Sequence, residues 1–442
     1  MSRSSWRRVR VGGLAVCAVF AFSARARAAT DCSTLPGTIL YGAGGSAQEP
    51  VVAQIASQLA ALPSPISLVY NDTGSACVGY QDLVTPTTIT GGQYWDTGLQ
   101  QLSSCTQTAP ATVSFAIMGN TPKQCPQTTG LAAGFGQFLG PVQSIDFVVP
   151  AQSNEQSIST EAAYYLWGFG GVGVNTVAPW SVPANIFTRS SSSFLTIFVG
   201  LDTGLSASRI AQPYSAVADA AAPANPTQVK TNQLTVQGLN ALNSSAPQSG
   251  IGFVSGEVAD GARGQVKVLA YQHTDLETGD RQTCGYYPDS TKDAFDKINV
   301  RTGQYWLWSP IHFFAAVTAG VDATKVTSIA DPNVQKLVGW FTGDVAPPAG
   351  VNIFAAEINS STVPRCAMQA WRDDDLAPPY SYAAPQSCTC QFDLATKYVN
   401  KAASCQTCTA DTDCAVTHHC RNIGPPLNPD AGAASVGYCE VN

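Results

Sequence analysis

From residue 29 to residue 208 the chain carries only two basic side chains, Lys123 and Arg189. Arg189 is followed by four serines, Ser190 to Ser193, and then by an apolar run that reads as a helix. Arginine, hydroxyls and a helix start are the parts of an anion cradle. The guanidinium forks onto oxygens, the hydroxyls donate, and the unpaired N–H groups at the positive end of the helix face the ligand. A surface arginine beside a polar loop would show the same letters, so the rest of the chain has to decide. The same grammar occurs twice more, at Gly42 to Ser46 and at Gly74-Ser75, each before a helical segment. One such place is an ordinary turn and N-cap. Three in one chain point to a shared ligand site.

Other chemistry is thinner. Gly168, Gly170 and Gly173 match the spacing of a dinucleotide fingerprint, but they follow a helical run and no acid lies about 20 residues on. They read as a turn. No Gly-x-Ser-x-Gly elbow and no His-Glu-x-x-His is present, and His273 and His312 are the only histidines outside the C-terminal region. His312 lies in the apolar run from Trp306 to Val321 and reads as a packed core residue, so hydrolytic catalysis is a minor alternative. His418 and His419 stand among cysteines, where zinc and disulfides compete; in an oxidising compartment disulfides win. No cofactor or metal is called for.

The address supports that compartment. Arg7, Arg8 and Arg10 precede an apolar stretch from Val11 to Phe22 and a small-x-small site, Ala26 to Ala28. Residues 1–28 therefore read as a secretory signal; the apolar stretch is too short to span a bilayer, which takes about 20 residues. Its removal takes six arginines and no acid, moving the formal charge from −7 to about −13. No later segment is long enough to span a membrane. Charged residues make up 12% of the chain, against roughly one-quarter in ordinary domains. With 38 Gly and 28 Pro this excludes a coiled coil, and the acidic balance argues against nucleic acid. The periplasm or the cell exterior is the expected location.

The elements needed to position the cradle alternate strand and helix. Thr38 to Tyr41, Ile66 to Tyr70, Val113 to Met118, Asp146 to Val149 and Asn185 to Thr188 read as strands. Val51, Val52, Ile55 and Leu59 share a helical face behind Pro50, with Ser46 as expected cap, and Val334 to Phe341 is a late helix. Alternation of this kind makes an α/β body with largely parallel strands.

The segments Tyr41 to Ser46, Val69 to Ser75 and Arg189 to Ser193 resemble, in order, those of periplasmic phosphate-binding proteins. Weaker echoes lie at Ser114 to Asn120, Gly250 to Val254 and Val334 to Gly343, so the resemblance covers roughly residues 36–345. It implies the two-lobed type II periplasmic-binding-protein fold, with a ligand clamped between α/β lobes joined by two chain crossings. Lobe one would be about 32–148 and 300–385, and lobe two about 149–299, within a solute-binding domain of 29–385. The resemblance also implies Ser46, Ser75, Arg189 and Ser193 as ligand donors, and the candidate set is Ser46, Ser75, Asn120, Arg189, Ser191 and Ser193. Where the family places an acid that accepts a phosphate proton, this chain has Gly119 and Asn120. Where the family has Gly-Thr after its last serine, this chain has Phe194 and Leu195. The expected function is capture of a small oxyanion, phosphate first, without chemistry, with an ABC transporter permease as possible partner. The alternatives are a secreted scaffold with a degenerate cleft, and a secreted hydrolase.

Residues 386–442 form a cysteine-rich tail beyond an extended linker, Leu376 to Pro385. Seven of the 14 cysteines crowd into it. It is expected to depend on disulfides, three of them internal; the seventh cysteine must pair with the body, pair with another chain or stay free, and a free or intermolecular thiol is favoured. Attachment or protection at the cell exterior is its expected role.

Overall fold

The structure, a computed structural model, describes residues 30–72, 75–126, 128–170, 176–211, 227–396, 405–421 and 437–441. The expected signal at 1–28, Gly74, Gly173 and residues 422–436 lie outside them.

Leu40, Leu68 and Ile117 on one face of the first strands, and Ala43, Ala116 and Met118 on the other, are all buried. Strands apolar on both faces need helices on both sides. The helix Glu49–Ala60 covers one face with Val51, Ile55 and Leu59, joined by Val334, Leu337, Val338 and Phe341 of the helix Pro332–Thr342. The helix Ala76–Val84 covers the other with Cys77, Tyr80 and Leu83. Gly79 permits its close approach: a Cβ there would lie 2.4 Å from the backbone nitrogen of Gly44.

Strands Thr38–Gly44, Ile66–Asn71, Phe115–Met118 and Phe135–Pro150 run parallel, in the spatial order 66–71, 38–44, 115–118, 308–316, 135–150. The strand Trp308–Ala316 returns late in the chain and inserts antiparallel between the last two. The 16-residue strand Phe135–Pro150 then changes partners. Ser144 pairs with Trp308, whereas the next residue, Ile145, pairs with Ser255 of the antiparallel strand Gly252–Ser255; Val266–Val268 pairs with its far end. Around that far end Val148, Phe187, Val236, Leu239, Val254 and Val266 form a second, smaller core. The α/β class is as expected, but the sheet is mixed rather than largely parallel, because the late strand and the strands beyond 135–150 pair antiparallel. The ladder is one connected path rather than two sheets, because a single strand serves both halves.

Several local expectations are corrected. The helix behind Ser46 begins at Glu49 and its cap position is Gln48, because Ala47 and Gln48 intervene. The strand expected at Asn185 to Thr188 is only Phe187–Thr188, since Pro183 starts a short 3-10 turn over Pro183–Asn185. The helix Thr160–Phe169 ends at Gly170 in the left-handed region, φ 79°, the C-cap role that a glycine fills at no steric cost.

The C-terminal region is less separate than expected. The segment expected as a linker folds back, Tyr380–Ser381 pairing with Ala370–Trp371. Cys388 is bonded to Cys366 in the body, and Asp393 forms a buried ion pair with Arg301, whose guanidinium also lies over Phe392. The remaining tail bonds are Cys390–Cys405, Cys408–Cys420 and Cys414–Cys439, and body bonds join Cys32–Cys105 and Cys77–Cys125. Three internal bridges are therefore correct. The free thiol, among the described residues, is the exposed Cys284 rather than a tail cysteine. Parity misled, because the body's six cysteines divide into five bonded and one free. The sulfurs beside His418 and His419 are consumed in bonds, and His419 Nδ1 instead lies 2.9 Å from Asp411.

Candidate functional site

Ser46, Ser75, Arg189 and Ser193 line one cleft, with Gly45, Ala76, Phe194 and Leu195. Local structure explains the convergence. Ser75 and Ser193 are the N-cap residues of Ala76–Val84 and Phe194–Thr203, and neither hydroxyl makes a capping bond. Gln48 likewise makes no side-chain cap for Glu49–Ala60. Three helix starts thus keep their first-turn N–H groups free of side-chain acceptors. Ser75 sits at φ 87°, ψ 168°, a region that disfavours any side chain, and strain of this kind concentrates at functional sites.

Arg189 is buried and held from behind. Its Nη1 donates to Asn232 Oδ1 at 2.6 Å, and Nη2 donates to Lys230 O at 2.7 Å and to Ser46 Oγ at 3.4 Å. Asn232 in turn donates to Ser255 Oγ at 3.1 Å. Among the described residues the buried Nε has no hydrogen-bond partner. Burial lowers the guanidinium pKa to about 10, opposed by the charge of Asp72, so Arg189 is a cation at neutral pH. An unsatisfied donor on a buried cation is a site prepared for an acceptor.

Glu49 and Asp72, which the sequence reading did not single out, add an acidic pair. Burial, then the charge of Asp72 and a hydrogen bond to it, raise the Glu49 carboxyl to about 7. Asp72 also acts electrostatically on Arg189. No local pattern announces this pair, because Glu49 opens a helix and Asp72 ends a different strand.

Two expected ligand residues stand elsewhere. Asn120 is fully buried, but its amide donates to Thr121 O at 3.0 Å and faces Cys125 Sγ, so it is absent from the cleft wall. The Cys77–Cys125 bond ties that loop to the first turn of the helix Ala76–Val84. Ser191 is also absent from the wall. Its neighbour Ser192 instead reaches across, its hydroxyl 2.9 Å from that of Ser75. Phe194 presses against Gly119, where a Cβ would lie 2.5 Å from the ring. The space left in the cleft is about 10 Å3, that of a single water.

The two histidines sit in other networks. His273 Nδ1 lies 2.9 Å from Asp202, and its ring stacks on Trp306 at 3.9 Å. His312 Nδ1 accepts from Gln137 and its Nε2 lies 3.6 Å from Asp375, which lies on Ser309 and on the Thr121 N–H. Among the described residues neither ring bonds a serine or cysteine side chain.

No family model matches the chain, and no curated protein matches it. Solved structures do. A putative phosphate ABC transporter substrate-binding protein with bound phosphate from Clostridium perfringens overlaps 74% of this chain and 99% of its own, at 10% identity and a TM-score of 0.46. The ancestral soluble variant of the human phosphate binding protein overlaps 77% and 96%, at 12% identity and a TM-score of 0.43. The reduced regulatory domain of OxyR from Pseudomonas aeruginosa overlaps 65% and 92%, at 9% and 0.31. Overlaps of this extent leave ligand and activity to be argued from the residues.

Proposed function

We propose that this protein is an extracytoplasmic solute-binding protein that captures a small oxyanion, with phosphate as first ligand. The carrying observation is the meeting of Arg189 with Ser46, Ser75 and Ser193 in one cleft, where uncapped helix starts supply further N–H donors. The cleft lies where residues from before and after the shared strand face each other, so a ligand bound there would bridge them. Lobes of about 32–148 with 300–385, and about 149–299, fit this reading. The six disulfides fit the oxidising space outside the cytoplasm, and among the described residues no helix is long and apolar enough to cross a membrane. Delivery to an ABC transporter permease is the role such a protein would serve.

With an acidic chain, long-range forces repel anions, so affinity has to come from Arg189 and local dipoles. A thermal-shift panel of phosphate, sulfate, molybdate and neutral sugars tests the reading. Stabilisation by phosphate should grow with the logarithm of its concentration. A shift with sugars alone would reject an oxyanion ligand.

One observation favours a second reading, a scaffold with a degenerate cleft. Phe194 occupies the place where the backbone would have to approach a ligand, and the Ser75–Ser192 contact leaves room for one water. Absence of any shift across the panel would select it.

A further inference from the structure

Among the described residues a second cavity lies apart from the Arg189 cleft. It measures about 660 Å3 and lies between the end of the helix Pro332–Thr342, the helix Ile353–Asn359 and the returning segment at 382–386. That volume suits a small organic molecule. Phe341, Val351, Ile353, Phe354 and Pro385 give it apolar walls.

Among the polar residues on this wall, Glu357 stands apart. Glu357 is 4% exposed and belongs to the cavity wall. It has neither a hydrogen-bond nor an ionic side-chain partner among the described residues. Burial is the sole influence on its carboxyl, which it pushes well above the usual range. The other charged groups on the wall are Asp344 and Arg365. Asp344 accepts from Thr342 Oγ1 at 2.7 Å, and the guanidinium of Arg365 lies 5.0 Å over the Trp371 ring. Tyr382 is a further titratable group there. Neither cation nor donor competes for Glu357.

A buried carboxyl without a partner costs stability unless a ligand completes it. We propose that this cavity binds an apolar organic amine, whose ammonium pairs with the Glu357 carboxylate while its hydrocarbon part fills the apolar walls. Burial favours the protonated carboxyl in the empty cavity, and the amine is an ammonium in solution. Pairing therefore releases one proton to solvent: the carboxyl O–H bond breaks, and the ammonium keeps its own protons. The pair forms where water is excluded, which strengthens it.

Three probes that share a phenyl group and differ in charge decide the matter: 2-phenylethylamine, 2-phenylethanol and 3-phenylpropionate, titrated calorimetrically into the intact protein. The amine should bind at least tenfold more tightly than the alcohol. Titration in buffers of different ionisation enthalpy should show about one proton released per amine bound at neutral pH. Glu357→Gln, close in shape to the protonated acid, should cut amine affinity at least tenfold and leave the alcohol within twofold. Proton release by the parent protein answers the question even if that variant fails to fold. Tighter binding of phenylpropionate than of the amine would make Arg365 the anchor and overturn the proposal. Equal binding of amine and alcohol, no proton release, or no binding by any probe would also overturn it. None of these outcomes bears on the oxyanion cleft, which the separate anion panel addresses.

Discussion

The hydroxyls of Ser75 and Ser192 lie 2.9 Å apart, joining the start of one helix to the loop before another across the cleft. Ser75 makes this contact from a backbone conformation that favours glycine. Ser75→Ala should lose the contact and keep the strain; Ser75→Gly should lose the contact and relieve it. Chemical denaturation should therefore find Ser75→Gly about 1–2 kcal/mol more stable than Ser75→Ala. Both should lose anion affinity alike. Equal stability of the two variants would show that the strained φ is of no energetic consequence.

Arg189→Ala should abolish most anion binding. A charged contact in a closed cleft is worth about 2–5 kcal/mol, or roughly thirtyfold to several-thousandfold in affinity. The variant also frees Asn232 Oδ1 and Lys230 O, so a stability loss of about 1–3 kcal/mol should accompany it. Calorimetry of phosphate binding, with circular dichroism to confirm folding, separates the two effects. Unchanged affinity would place the site elsewhere.

Phe194→Ala should widen the cleft. Removing this buried ring should destabilise the fold by about 3–5 kcal/mol. If Phe194 is what restricts ligand access, phosphate should stabilise the variant more than the parent in the same thermal-shift series. A variant that is merely less stable, with the parent's response to phosphate, would show that the ring is only a packing element.

Asp146 should make stability depend on pH. Burial raises its carboxyl to about 7, opposed by Lys297. The folded state therefore holds a proton that the unfolded chain releases near pH 4. The resulting stabilisation is full below pH 4 and is lost as pH rises to about 7, a change on the order of a few kcal/mol. Asp146→Asn should flatten that slope in urea unfolding measured from pH 4 to pH 8. A slope that persists unchanged would assign it to other groups, Glu257 first, whose carboxyl burial raises to about 8.

The disulfide pattern predicts a count. A chain lacking residues 1–28, denatured without reductant, should take one alkyl label, at Cys284. Cys366→Ser should lower the unfolding free energy by about 2–4 kcal/mol, since it releases the C-terminal region from the body. Several labels per chain would mean that the tail bonds do not form.

What was legible in the sequence was local. Arg189, Ser46, Ser75 and Ser193 were visible because each stands in a short strand–hydroxyl–helix pattern, and the fold brings all four to one cleft. Asp72, Glu49 and Ser192 were not, because their importance comes from distances across the cleft rather than from neighbours in the chain. Asn120 was misplaced for a related reason: the chain position was reasonable, but its amide is taken up by Thr121 O and faces Cys125 Sγ. The same blindness to long-range contacts made Leu376 to Pro385 look like a linker. Its composition is that of an extended spacer, yet Asp375 beside it is buried against His312 and Ser309.

The exchange of partners at Ser144 and Ile145 gives the molecule a torsion bar. Residues 141–150 are all buried and contain no glycine, and their backbone passes from one set of neighbours to the next without a gap. Such a strand resists folding at a point, because a sharp bend would break ladder hydrogen bonds on both sides. It yields instead by small increments of twist shared over many peptide units. Any rotation of the two halves about this axis would wind or unwind a strand that contributes no atom to the cleft wall.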